Sequence, residues 1–433
     1  MMRTIDLRGR DLTPAELLAA VPRAEAARGL ALATAAEIVH DVATRGEVSL
    51  REQASRFDGV DGHAIRVPEE HLVEALERLD APVRAAIEES IRRVRLASAA
   101  QVPPDRTTEL GPGARVEQRW RPVRRVGVYV PGGKAVYPSS VVMNVVPAQI
   151  AGVSAVALAS PPQREHDGRV HPVILAAAHL LGIAEVYAMG GAGAIGAFAY
   201  GVDSLDLDPV DVISGPGNNF VALAKRVVAG VVGTDSEAGA TEILIVADET
   251  ADPELVAADL VSQAEHDEQA AAVLVTDSVE LADSVADRVT TRASGTRHAE
   301  RVAAALAGPQ SAIVLVDDID AAMAFSNAYA PEHLELHLSD PQVDSFVNAG
   351  AVFVGSHTPV SLGDYLAGSN HVLPTGGQAR YAAGLGAATF LRSQQVISYD
   401  REALRAVHDG IVALSASEEL PAHGEAVSAR FDA

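Results

Sequence analysis

The chain has 433 residues, more than one ordinary core accommodates, so two or more domains are expected. Its formal net charge of -24, from 58 Asp and Glu against 34 Lys and Arg, repels phosphate backbones and argues against nucleic-acid binding. With no cysteine, disulfides and thiolate metal sites are excluded, and any bound metal must be held by His, carboxylate or amide oxygen.

Taken in chain order, the N-terminus MMRTIDLRGRDL is charged and has no apolar h-region, which reads as a soluble cytoplasmic protein without a signal peptide. No apolar run is long enough to span a bilayer. Residues 1–25 read as a short helical arm, and 84–100 as an amphipathic helix. Then a repeating grammar begins: an apolar strand, a Gly-rich turn, a helix. VGVYV (126–130) leads into PGGKAVYPSS, AVALAS (155–160) into a helix from Pro172, EVYAMG (185–190) into GAGAIGAFAYG, and DVIS (211–214) into GPGNNFVALAKRVV. The grammar restarts at EILIVAD (242–248) and continues through AAVLVTDS (271–278), AIVLVD (312–317) and AVFVG (351–355). Strands alternating with helices imply parallel βαβ units, hence an α/β fold. The last ~45 residues, in which only charged and helical patterns stand out, read as a helical tail.

Three turns, Pro131-Gly132-Gly133, Gly190-Gly191 and Gly215-Pro216-Gly217-Asn218, sit between a strand and a helix. Each by itself suits a plain βα connection. Three in succession point towards a nucleotide site, because backbone N–H groups at helix starts attract anions and Gly admits a close approach. None is a G-x-G-x-x-G, and no acidic residue follows at the usual dinucleotide spacing.

The helix opened by Asp252-Pro253 carries Val256, Leu260 and Gln263 on one stripe, and a Gln in an apolar stripe needs a partner. Gln263 and His266, in SQAEH, stand three apart and share a face. With Asp364 in SLGDY and His423 in LPAHGEA they supply the N and O donors a divalent metal takes. Glu332-His333, in APEHLEL, adds a carboxylate and an imidazole suited to proton transfer. Each also has an ordinary reading: His266 as a helix-terminal residue stabilised by the dipole, Asp364 as a turn former, His423 and Glu332-His333 as solvated polar residues, His371 as a hydrogen-bonded loop histidine.

Together the strings GVYVPGGKAVYPSSVVMNVVPA, GPGNNFVALAK, DLVSQAEHDE, NAYAPEHLE, SLGDYLAGSNHVLPT and LPAHGEAV resemble the histidinol dehydrogenase family, in the same order and over essentially the whole chain. The resemblance implies a zinc-dependent, NAD-linked oxidation of L-histidinol through the aldehyde to L-histidine, the last step of histidine biosynthesis. It implies a homodimer of intertwined subunits with two incomplete Rossmann-like domains, and no nucleic-acid or membrane partner. One zinc per subunit falls on Gln263, His266, Asp364 and His423, the last from the neighbouring subunit. Proton transfer falls on Glu332 and His333. Substrate contacts fall on Thr241, His371 and Glu418, with the metal ligands and His333 also touching substrate. Cofactor contacts fall on Tyr129, Asn218 and position 193. The family pattern often has Gln where this chain has Gly193, Pro and Ser where it has Ala240 and Thr241, and Gly where it has Glu419.

The expected domains are a 1–25 arm, a discontinuous first Rossmann-like domain (26–127 plus 241–384), a second (128–240), and a C-terminal helical domain (385–433) reaching the partner's site. Zinc has no redox chemistry, so a cofactor must take the hydride. For Glu332 and His333 to reach one site, residues 331–333 must bend, since neighbours on a regular strand face opposite sides. Alternatives are a related zinc- and NAD-dependent dehydrogenase of another polar alcohol, a zinc hydrolase, or a non-catalytic metal-stabilised binding protein.

Overall fold

A computed structural model describes residues 2–23, 28–132, 136–236 and 239–431. Gly133, the last residue of the first Gly-rich turn, lies outside them. The chain divides into two compact units, Met1–Gln101 with Val123–Phe390, and Val102–Pro122 with Leu391–Ala433.

The larger unit contains two parallel sheets. Across the first, the strand order is Arg3–Asp6, Ala312–Leu315, Ala271–Thr276, Glu242–Ala247, His333–His337, Ala351–Val354. The central strands EILIVA, AAVLVT and AIVL are buried along their whole length, as parallel strands covered on both faces must be. Alternation divides their side chains between two cores. Ile243, Ile245 and Ala247 face the core built with helices Pro253–Ala264, Val279–Gly295 and Ala299–Ala307, while Leu244 and Val246 face the one with helix Ile319–Tyr329. The register His333↔Ile243, Glu335↔Ile245, His337↔Ala247 puts three polar side chains on the first of these faces, against helix Pro253–Ala264. The residues between them, Leu334 and Leu336, take the other face.

The second sheet runs Val186–Ala188, Ala155–Ser160, Arg125–Tyr129, Val212–Ser214, Gly233–Thr234, also parallel. Helix Arg28–Arg45 contributes Val39 and Val42 to its core, so part of the segment expected with the first sheet builds the second. The N-terminal arm also differs from the all-helical expectation. Residues Arg3–Asp6 are a strand on the edge of the first sheet, and Pro14–Ala20 is the helix, capped by Thr13 and Glu16 in a reciprocal box.

The smaller unit is not purely helical. Leu391–Tyr399 is a strand, pairing antiparallel with Ala114–Pro122, which in turn pairs with Arg106–Gly111. Helices Arg401–Ser417 and Pro421–Ser428 follow, with Glu418 capping the first and His423 in the second. Between them Glu419 takes φ 58°, a conformation glycine favours. Its N–H donates to Ala416 O at 3.2 Å and the Leu420 N–H to Ser415 O at 2.8 Å, the paired bonds that close a helix through a left-handed residue. The departure from Gly at this position is therefore a backbone strain, not a new charge contact. Glu419→Gly is expected to stabilise the protein by about 0.5–1 kcal/mol, less than the full left-handed penalty because Gly also loosens the unfolded chain. A denaturant midpoint that stays put or falls would refute this. Among the described residues, no helix is long and apolar enough to cross a membrane.

Candidate metal and proton-transfer site

Helix Pro253–Ala264 buries Val256, Leu260 and Gln263 together, as the stripe predicts. Gln263 is only 2% exposed, and its amide has two fates. Nε2 donates to the Thr241 hydroxyl oxygen at 2.9 Å, while Oε1 is buried with no hydrogen-bond partner among the described residues. A buried carbonyl left unpaired costs about 1–3 kcal/mol unless something takes its lone pairs. His266 stands one turn on, and its Nε2 lies 3.9 Å from Asp364 Oδ2. That is too long for a hydrogen bond but close to the ~3–4 Å separating two donors on one zinc at its usual bond lengths. Burial holds the His266 imidazole pKa below its ordinary value, so its lone pair stays available. The ring is still 34% exposed, which leaves an approach for a ligand.

The polar chain continues from Gln263. The Thr241 hydroxyl donates to Glu332 Oε2 at 2.6 Å, and the Glu242 N–H donates to the same oxygen at 2.8 Å. Burial pushes the Glu332 carboxyl up to about 7, against the lowering effects of His333 and these two donors. Glu332 is at a bend and His333 opens its strand, the local geometry that two adjacent residues need to act together. His333 Nδ1 lies 3.0 Å from the Glu242 carbonyl oxygen. A carbonyl only accepts, so Nδ1 carries the proton, and in the neutral ring Nε2 is left as the base. One residue thus orients both proton-transfer groups through its backbone. Glu242 is itself fixed by Arg23 Nε at 2.6 Å and the Gly376 N–H at 3.1 Å.

His371 joins the cluster. Its Nδ1 donates to Asp364 O at 2.9 Å, and its Nε2 lies 3.2 Å from the Ser140 hydroxyl. Burial lowers its pKa, and Asp364, His333 and His266 are the charges acting on it. A substrate contact through His371 therefore requires Ser140 to release Nε2. Gln263, His266, Asp364, Thr241, Glu332, His333 and His371 all belong to the larger unit, whereas Glu418 and His423 belong to the smaller one.

The cofactor candidates lie at the carboxyl ends of the second sheet's strands, whereas Thr241, Glu332 and His333 lie at the amino ends of the first's. Tyr129 is buried, its phenol pushed up to about 12 by burial, and its oxygen accepts the Gly191 N–H at 3.1 Å. Asn218 caps helix Asn219–Val228, accepting from the Phe220 and Val221 N–H groups at 3.0 and 3.2 Å. The turn before it is locked by residues the sequence reading did not single out. Lys225 Nζ donates to Gly215 O at 2.5 Å and pairs with Asp235, whose other oxygen accepts the Gly215 N–H at 2.7 Å. Gly215, at φ 117°, has no room for a side chain, since a Cβ would strike the Tyr129 carbonyl oxygen. Gly193 is different. It lies in helix Gly191–Tyr200 without positive φ, and the Gln53 amide fills the space an added Cβ would take. A Gln there would have to displace Gln53.

A family model for histidinol dehydrogenase matches residues 22–431. The histidinol dehydrogenase of Leifsonia xyli is 64% identical over 433 residues, 100% of this chain and 99% of that protein. The chain belongs to the histidinol dehydrogenase family. The Thermobifida fusca histidinol dehydrogenase is 56% identical over 429 residues, 99% of this chain and 97% of its own length. A crystal structure of histidinol dehydrogenase from Elizabethkingia anophelis, 32% identical, superposes with a TM-score of 0.92 over 100% of this chain and 98% of that one. Membership in the histidinol dehydrogenase family makes the chain an oxidoreductase.

Proposed function

We propose that the chain oxidises L-histidinol through the aldehyde to L-histidine, with one zinc per subunit and NAD as acceptor. The observation that carries this reading is the unpaired, buried Oε1 of Gln263, one hydrogen-bonded relay away from the candidate base Glu332. Gln263, His266 and Asp364 would hold the metal, with His423 of the partner subunit completing the set. When bound, zinc would fix the imidazole and amine nitrogens of the substrate, and NAD would take the hydride.

His333 Nε2 takes the hydroxyl proton of the alcohol, because its other nitrogen is committed to the Glu242 carbonyl. Glu332, with a pKa near neutrality, takes a proton from water as that water adds to the aldehyde. As the water adds, His333 returns its proton to the aldehyde oxygen, and it is then free to take a hydroxyl proton of the hydrate while the second hydride would go to a second NAD. Thr241 holds Glu332 in place and ties it to Gln263. Asn218 opens helix Asn219–Val228 beside the turn locked by Lys225, and a helix start attracts the negative charge of a pyrophosphate. A cationic, imidazole-bearing substrate suits Glu418, proposed to act across a homodimer as His423 does.

The test is NADH absorbance on adding L-histidinol, with and without a chelator. Turnover is expected only with metal, with little change in the melting curve, since the donors sit on elements with extensive apolar cores of their own. Full turnover in protein shown to be metal-free would reject the site. The shared-site reading has its own check. His423→Asn and Gln263→Glu chains, inactive alone, are refolded together. Half of randomly paired dimers are mixed, and each then has one intact site, so about a quarter of wild-type activity should return. Mixtures that stay inactive despite confirmed heterodimers would place each site within one chain.

A further inference from the structure

Behind the candidate site, further along the same strand and helix, lies a second polar cluster: Asp259, Glu335 and His337, whose ligand-type atoms lie within 4.8 Å of one another. Glu335 follows His333 by two residues and faces the same side of the strand. Asp259 precedes Gln263 by four residues and shares its helix face. Glu335 is 1% exposed. Its Oε1 accepts the N–H of Val360 at 2.7 Å, the first residue of the short helix Val360–Tyr365 that carries Asp364. Its Oε2 lies 3.4 Å from His337 Nε2. Its carboxyl also hydrogen-bonds that of Asp259. Ionised carboxylates only accept hydrogen bonds, so two carboxyl groups in such a bond hold a proton between them. Burial pushes the Asp259 carboxyl up to about 7, the neighbouring Glu335 adding to the effect and His337 and then Arg292 opposing it.

We propose that Glu335 is a positioning residue for the metal site: one carboxyl group joins the strand bearing His333, the helix that carries Gln263 and ends two residues before His266, and the helix bearing Asp364. The proposal rests on the reading that Gln263, His266 and Asp364 hold the metal. Gln263 and His266 stand at the end of one helix and Asp364 on another, so the distances from Asp364 to the other two donors depend on how these elements are tied together. Apolar packing is non-directional and tolerates small sliding. A carboxyl bonded to Val360 N–H and to Asp259 fixes direction as well as distance, the role outer groups play around metal ligands.

The test is zinc affinity of apo protein, measured by competition with a chromogenic chelator, together with turnover, KM for NAD and melting temperature. Glu335→Leu should weaken zinc binding by ten- to a hundredfold and lower kcat, while KM for NAD stays within about twofold. Glu335→Gln should stay within about threefold of wild type, because its amide oxygen still accepts from Val360 and its amide N–H can donate to an ionised Asp259. Val285→Ala, which opens a cavity in the same core from a helix that carries none of the ligands, should lower the melting temperature and leave zinc affinity unchanged. If Glu335→Leu does not fold, Asp259→Leu removes one tie at a partly exposed position and should weaken zinc binding several-fold. The proposal is overturned if Glu335→Leu, or Asp259→Leu in its place, binds zinc normally while Gln263→Ala and His266→Ala do not. Equal loss in Val285→Ala, or equal damage in Glu335→Gln and Glu335→Leu, also overturns it. A second zinc equivalent taken up by wild type and lost in Glu335→Gln would put a cation where the shared proton is placed here, with the same consequence. Normal zinc binding by Gln263→Ala and His266→Ala would instead reject the ligand set itself, and the positioning role with it.

Discussion

His333→Asn is expected to lower both half-reactions, alcohol to aldehyde and aldehyde to acid, by about 10²–10⁴-fold, the usual contribution of a placed general base. The choice of Asn follows from the hydrogen bond at Nδ1. An Asn amide nitrogen can still donate to the Glu242 carbonyl, so the start of the strand keeps its anchor. Only the Nε2 lone pair is lost. The melting temperature should therefore move little, and KM for NAD should not move, because the cofactor candidates lie on the other sheet. Single-turnover rates with L-histidinol and with the aldehyde, measured separately, decide the matter. A variant that loses only one half-reaction would mean that His333 does not serve both.

Glu332→Gln should divide the two steps. Only aldehyde oxidation needs an activated water, so that step should fall by about 10²–10³-fold while alcohol oxidation falls far less. Gln can still accept from Thr241 and from the Glu242 N–H, which preserves the local fold. The pH dependence offers an independent readout in metal-free protein. Glu332 has a folded pKa of about 7 against a model-compound value of 4.5, so the folded state holds this proton more tightly than the unfolded chain. Its contribution to stability is complete below about 4.5 and is lost as pH rises through about 7. Glu332→Gln should flatten that part of the stability profile. An unchanged profile would mean that the carboxyl titrates elsewhere, and equal loss of both half-reactions would give it a general role.

Both variants act on groups gripped by Glu242, and this has a consequence for how the site tolerates change. The Glu242 N–H and C=O hold Glu332 and His333, so no substitution of Glu242 other than proline removes either bond directly. The side chain acts one step back, through Arg23, which also lies 4.0 Å over the Tyr329 ring and so links the N-terminal segment to this corner of the sheet.

Much of the site was legible in the sequence because its signals are local violations of a pattern. Gln263 interrupts an apolar helical stripe, and a polar side chain forced into a buried position must find a partner. The adjacency of Glu332 and His333 required a bend, and the bend is there. The central strands were legible because burial on both faces leaves a continuous apolar run. The strand Leu391–Tyr399 was not, because it is largely exposed, and an exposed strand has no apolar periodicity to betray it. The edge strand Arg3–Asp6 was hidden for another reason: four residues carry little pattern, and its partner Ala312–Leu315 is some three hundred residues away.

The sequence by itself determined the α/β grammar, the family, the candidate metal donors and the candidate bases, since each depends on residue type and short spacing. Only the tertiary structure decided what holds them. Backbone groups of Glu242 orient the bases, Ser140 occupies His371, Lys225 and Asp235 clamp the Gly215 turn, and Glu335 ties three elements together. Backbone donors and acceptors are the same at every residue, so sequence cannot mark which ones are used. Long-range side-chain bonds depend on register and packing angle, which are settled when the sheets and helices assemble.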